Sequence, residues 1–220
     1  MVDWTGHARR EDERYRDGEG RLPEAEDQDS RQRQLTRMGN AAAGAGLARL
    51  MAGDTETARE WFAKAVERYR ESYELAPPGS WGRPIAILKA RILAGDWDGA
   101  ESDARWTLEQ DAADAESSIG RYAATLALLV LGRDEEARVL ADGLRTRDDF
   151  PQPVGDALAY IAAEDPLGYI DAIEAVLESF ETREDYLEDL PAADTVVVFQ
   201  ALAARRDMAA ELSSPLLPPS

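Results

Sequence analysis

The sequence predicts an all-α protein: an irregular array of antiparallel helix hairpins, with about nine helices. Three observations predict it. Apolar residues recur at helical spacing from Leu35 almost to the end of the chain, strand signals are nearly absent, and one helix-stopping pattern returns three times. That pattern is "LMAGDTETAREWFAKAV" at Leu50–Val66, "ILAGDWDGAESDA" at Ile92–Ala104 and "LVLGRDEEARVLA" at Leu129–Ala141. Aligned on Gly53, Gly95 and Gly132, it places Leu50, Ile92 and Leu129 three residues before the glycine. Ala58, Ala100 and Ala137 stand five residues after it.

Each part of the pattern has a physical reason. The glycine ends a helix in a left-handed cap, which needs a residue without a Cβ penalty. Asp54, Asp96 and Asp134 lie where the next helix wants an N-cap or a negative charge. The alanine is small because two antiparallel helices cross closely there.

In chain order, residues 1–30 are polar, with Gly18, Gly20 and Pro23, and are expected to be an arm, flexible or holding a short helix in "REDERYRD" that docks late. Helices 32–52 and 55–75 flank Gly53. "APPGSWGRP" (Ala76–Pro84) breaks the chain, because proline cannot donate a hydrogen bond and glycine accepts positive φ. Helices 82–94 and 97–110 flank Gly95, and 115–131 and 134–146 flank Gly132. After "RDDFPQP" (Arg147–Pro153), helices 153–163 and 167–181 form a weaker fourth unit, with Ala172 in the alanine slot and no glycine. "EDLP" (Glu188–Pro191) breaks the chain again. The β-branched run Thr195–Phe199 then falls in a buried helix, 192–205, because Ala, Leu and Gln continue it at helical spacing. "LAARRDMAAELSS" has the form of a fifth, incomplete hinge. The expected division is an arm (1–30), one helical domain (31–212) and a tail (213–220).

The segment "LMAGDTETAREWFAKAVERY" resembles a tetratricopeptide repeat: Gly53, Ala58, Phe62 and Ala65 match its pattern. The second and third units match at the glycine and first alanine only. The resemblance covers about residues 38–146, and the spacings of 42 and 37 between glycines exceed that family's period. It implies a groove lined by the first helix of each pair, here Asn40, Ala43, Leu47, Ile85, Lys89, Tyr122 and Leu126. A groove so apolar is expected to be filled by the chain's own arm or tail, or by a partner's helix. The C-terminal segment "EDLPAADTVVVFQALAARRDMAAELSSPLLPPS" is similar to the immunity protein 49 family, through "LPA", "LAARR" and "SPLLP". That resemblance implies an all-helical protein that neutralises a toxin by binding it.

Composition bounds the chemistry. Asp and Glu total 44 against 25 Lys and Arg, a net charge of −19. Only Lys64 and Lys89 are lysines. Such an acidic, arginine-dominated composition fits a high-salt interior, or else a GC-rich genome that favours arginine codons over lysine, and it disfavours attraction to nucleic acid or anionic membrane. No cysteine is present and the lone histidine, His7, lies in the arm. No Ser-His-Asp set and no ordinary zinc site can therefore be assembled on the core. "GNAAAGAGLARL" lacks the Gly-Lys-Ser/Thr of a phosphate loop, so Gly39, Gly44 and Gly46 are read as close-packing positions. No apolar run reaches the roughly 20 residues that span a bilayer.

What remains is recognition. The expected reading is a soluble, cytoplasmic, non-enzymatic interaction module without cofactor or metal, whose partner is a protein, such as a toxin domain, or a second copy. Trp61, Trp81, Arg83, Lys89, Trp106 and Tyr122 are the candidate binding residues. Phe62 takes the core slot, so the adjacent Trp61 points toward a neighbouring element or solvent. A Trp near an Arg, as at Trp81 and Arg83, has the composition of an interface hot spot. The alternatives are packing of these rings between helices, a carboxylate-dependent enzyme on the same scaffold, or a self-associating protein.

Overall fold

A computed structural model describes residues 2–186 and 189–219. Among them the fold is all-α: ten α-helices, two short 3-10 turns and no strand. The helices are α1 (Trp4–Arg21), α2 (Gln28–Met51), α3 (Thr55–Leu75), α4 (Gly82–Leu93), α5 (Trp97–Glu109), α6 (Ser118–Val130), α7 (Asp134–Arg145), α8 (Gln152–Ala162), α9 (Pro166–Glu181) and α10 (Asp194–Ala204). The expected helices from α2 onward are all present, with ends shifted by no more than a turn. Glu188 of the expected break lies outside the described residues.

The chain forms two compact units. The first holds Met1–Asp96, Asp185–Ala192 and Pro218–Ser220, and the second holds Trp97–Glu184 and Ala193–Leu217. In the first, α2 pairs with α3, α1 lies along α2, and α4 packs on α3. In the second, α5 to α9 pack each on the next, and α10 rests on α8 and α9.

The three glycines turn the chain as expected. Gly53, Gly95 and Gly132 have φ of +83°, +67° and +67°. The residue after each donates its N–H five residues back: Asp54 to the Arg49 carbonyl at 2.9 Å, Asp96 to Arg91 at 3.0 Å, and Arg133 to Leu128 at 2.9 Å. This closes the helix end and redirects the chain. The same bond recurs from Asp165 to Tyr160 and from Met208 to Ala203, both at 3.0 Å. At those two hinges the left-handed residue is Glu164 (φ +51°) and Asp207 (φ +55°). The fourth hinge therefore has the geometry of the others without their residue. The alanines five residues after the glycines, Ala58, Ala100 and Ala137, are buried, at 1%, 0% and 0% exposure.

Close packing in the first unit rests on the α2 glycines. A Cβ on Gly46 would sit 2.9 Å from the Phe62 ring, and one on Gly39 would sit 2.7 Å from the Tyr69 ring. Phe62 is thus seated in the notch that Gly46 leaves, and the Tyr69 hydroxyl donates to Asn40 at 2.9 Å. In the second unit, Arg206 is 7% exposed and ties the end of α10 to the α6–α7 hinge. It donates to the Leu129 carbonyl at 2.9 Å and pairs with Asp134, the first residue of α7.

Of the two readings of the N-terminal segment, an arm or a docked helix, the structure has a helix, α1, longer than the stretch expected and capped by Asp3, whose carboxylate accepts from Gly6 N–H at 2.8 Å. Its buried face is Ala8, Glu11, Tyr15 and Gly18. That face is helical in spacing yet carries no aliphatic side chain beyond one methyl, which is why the periodicity of apolar residues does not reveal it.

Two predictions follow from hinge and notch. Gly132 has nothing within 4 Å of an added Cβ, so Gly132→Ala measures backbone strain alone and lowers stability in urea unfolding by about 1–2 kcal/mol. Glu164→Gly relieves the same strain and leaves stability unchanged or raised by up to about 1 kcal/mol. Gly39→Ala displaces a buried ring and costs about 1–3 kcal/mol, despite alanine's better helix propensity.

Candidate functional site

Most of the expected binding residues are engaged within the fold. Trp61 points to a neighbouring element, α1, and not to solvent. It is 7% exposed, and its ring meets Tyr15 edge-on at 5.5 Å. Two cations sit by the Trp61 ring, Lys64 Nζ at 4.1 Å and Arg49 at 5.1 Å. Arg49 also grips Asp12 of α1 through two hydrogen bonds of 2.9 and 2.7 Å. Arg68 donates to the Tyr15 hydroxyl at 3.0 Å. Trp61 is therefore part of what holds α1 to α2 and α3. Adjacent Phe62 and Trp61 are both buried because α3 has helices on two sides.

Trp81 is half-buried at the N-cap of α4. Arg83 has turned inward. Its Nε donates to Ser72 Oγ at 2.8 Å, and its Nη2 donates to Thr36 Oγ1 at 3.1 Å and to Gln32 Oε1. Ser72 in turn donates to the Gln32 carbonyl at 2.8 Å. These partners are neutral, and burial holds the Arg83 pKa below the ordinary arginine value. Its role is to join α2, α3 and α4. Lys89 is half-buried on α4.

In the second unit, Trp106 is half-buried on α5. Tyr122 is buried against Phe150, with ring centroids 5.5 Å apart, and burial followed by the nearby Asp194 charge raises its pKa. Leu126, another expected groove residue, has no exposed surface. In the first unit, Leu47 packs on a cluster of Ala8, Ala48, Met51, Leu190 and Ala192. At Leu47 the α2 surface is thus covered by α1 and by the chain around Leu190.

The apolar side chains that face solvent are different ones. Val139 on α7 is 72% exposed, and Leu167 and Ile170 at the start of α9 are 77% and 37% exposed. On α7, Glu135, Val139 and Asp142 stand at i, i+4 and i+7, all exposed, so one stripe presents an isopropyl group between two carboxylates. Sequence reasoning favoured aromatics and passed over this stripe. Its signal was the unpaired valine on the polar face of an otherwise clean amphipathic helix.

Three carboxylates have their pKa lowered. Asp27 is lowered by hydrogen bonds from Ser30, Glu136 by Arg133, and Asp149 by Arg147. Each is a helix cap or a surface ion pair. Glu11 is fully buried but lies between Arg10 Nε at 3.1 Å and Arg14 Nη1 at 2.7 Å. Among the described residues no group of three or more His, Asp or Glu could hold a metal ion, and no helix is long and apolar enough to cross a membrane. Compared with protein-family models, curated proteins and solved structures, the chain matches none.

Proposed function

We propose that the chain is a non-enzymatic protein-interaction module of tetratricopeptide-like architecture, and more narrowly a toxin-neutralising immunity protein that recognises a basic partner. The observation that carries the reading is the α7 stripe. Glu135, Val139 and Asp142 face solvent together on a chain of net charge −19. A small apolar contact flanked by two acids, of which Asp142 also pairs with Arg138 and Arg145, suits a basic, partly apolar surface, with charge steering the encounter and the valine excluding water from the centre. The repeated hinge supports the architecture, since helix pairs closed by one capping bond are the unit from which such arrays are built.

The charge balance also supports work at high salt inside a cell. Net negative repulsion is screened there, and arginine forms better-defined pairs with carboxylates than lysine does.

The test is co-expression with a toxin domain encoded beside this chain's gene. Rescue of growth and a one-to-one complex are expected. The double substitution Glu135→Arg, Val139→Arg is expected to weaken the complex at least about tenfold. Absence of rescue, or a substrate turnover lost when carboxylates become amides, would replace the reading. Independently, the melting temperature should rise between about 0.1 M and about 2 M KCl; a fall would remove the high-salt assignment.

A further inference from the structure

Against the acidic average, one cleft in the first unit is basic. It lies between the end of α1, the following turn and the first half of α2, with a volume of about 480 Å³, and Arg21, Arg33, Arg37, Ser30, Gln34 and Glu24 line it. Three guanidinium groups thus face a shared space with one carboxylate.

The state of those arginines matters. Arg21 is tied to Asp17 at 2.8 Å and Arg33 to Asp29 at 2.6 Å. Both are single i, i+4 pairs with every side chain more than half exposed. Such pairs are weak and exchange readily for other oxygens. Arg37 is exposed and makes no ion pair or hydrogen bond among the described residues. In a chain where acids outnumber cations 44 to 25, a guanidinium left without a carboxylate is against expectation. The walls are held by the fold, because Gln34 Nε2 donates to the Gly18 carbonyl at 3.3 Å across the α1–α2 pair.

We propose that this cleft binds a small ligand bearing at least two oxyanion groups. Planar guanidinium forks match phosphate and carboxylate oxygens two at a time, and a ligand with two such groups can engage Arg37 while competing for Arg21 and Arg33. The volume falls in the range of small-molecule sites. The polar lining selects a hydrophilic ligand. A long polyanion, which would reach beyond the cleft, is disfavoured by the whole chain's net charge of −19.

Calorimetric titration of the full chain at low ionic strength, with pyrophosphate in one arm and citrate in the other, tests this. One-site saturable binding is expected in at least one arm, and the tighter arm distinguishes a phosphate from a polycarboxylate source. Arg37→Gln should lower the affinity at least tenfold and Arg37→Lys by less, since lysine keeps the charge and loses the fork. Arg21→Gln, on the opposite wall, should reproduce the loss. Arg105→Gln on α5, an exposed arginine paired with Glu101, should leave binding unchanged. No saturable heat in either arm overturns the proposal. So does wild-type affinity in Arg37→Gln with helical circular dichroism intact, or an equal loss in Arg105→Gln.

Discussion

A backbone bond from a residue three or four past a helix end to the carbonyl five residues before it is the constraint on which the fold depends. It satisfies a carbonyl that the helix leaves open, and it fixes the direction in which the chain leaves. Because the turn is short, α3 runs back along α2 and α7 along α6. Because the helices run back to back, the residue five past the hinge meets its neighbour at close range, and Ala58 and Ala137 are buried to the methyl. The bond requires one residue with positive φ. Gly53, Gly95 and Gly132 supply it at little cost, while Glu164 and Asp207 hold it against strain. Both acidic hinges lie next to other anchors: Asp165 caps α9 by accepting from Gly168 N–H at 3.1 Å, and Arg206 binds back to the α6–α7 hinge.

Charge does structural work where apolar surface is scarce. α1 is the clearest case, for it buries one aromatic ring and one carboxylate. Glu11 brings its own counter-ions, Arg10 and Arg14, from the same helix, so its burial leaves no charge uncompensated. Its side chain also lies over Gly44, where an added Cβ would come within 3.1 Å of it. The helix is then fastened at two further points, by the Asp12–Arg49 fork and by Tyr15 under Arg68 and against Trp61. Arginine is needed for such contacts, because a fork holds direction where an ammonium group holds only charge. This gives the scarcity of lysine a structural sense alongside any adaptation to salt.

The hairpin hinges were legible because they are short-range: a glycine, an acid and an alanine at fixed offsets encode a turn that needs nothing distant. The β-branched run in α10 was legible as a helix for the same reason, its neighbours continuing the period. Where partners are far apart in sequence, the sequence does not name them. Nothing near Tyr15 announces Trp61, and nothing near Arg83 announces Ser72 and Gln32. The glycines of α2 were read correctly as packing positions because no phosphate-loop residues accompany them. Which ring each one admits depended on α3, and the fourth hinge at Glu164 carries no glycine to mark it.

The proposed recognition role must be argued from what the core leaves over. Trp61 and Tyr122 are consumed internally, and Arg83 is committed to three helices. The outward surface offers carboxylates, a few aliphatic side chains such as Val139, and a small set of arginines with weak or no partners. A surface of that kind gains little from apolar burial over a broad area, so selectivity has to come from where its charges are placed. At high ionic strength screening removes attraction beyond a few ångströms, and only charges brought into contact still discriminate. In the proposed complex an isopropyl group set between two acids would meet that condition, because dehydrating the centre would bring the flanking carboxylates against a basic partner's cations. Three guanidinium groups around one cleft meet it as well, for ligands of the opposite sign.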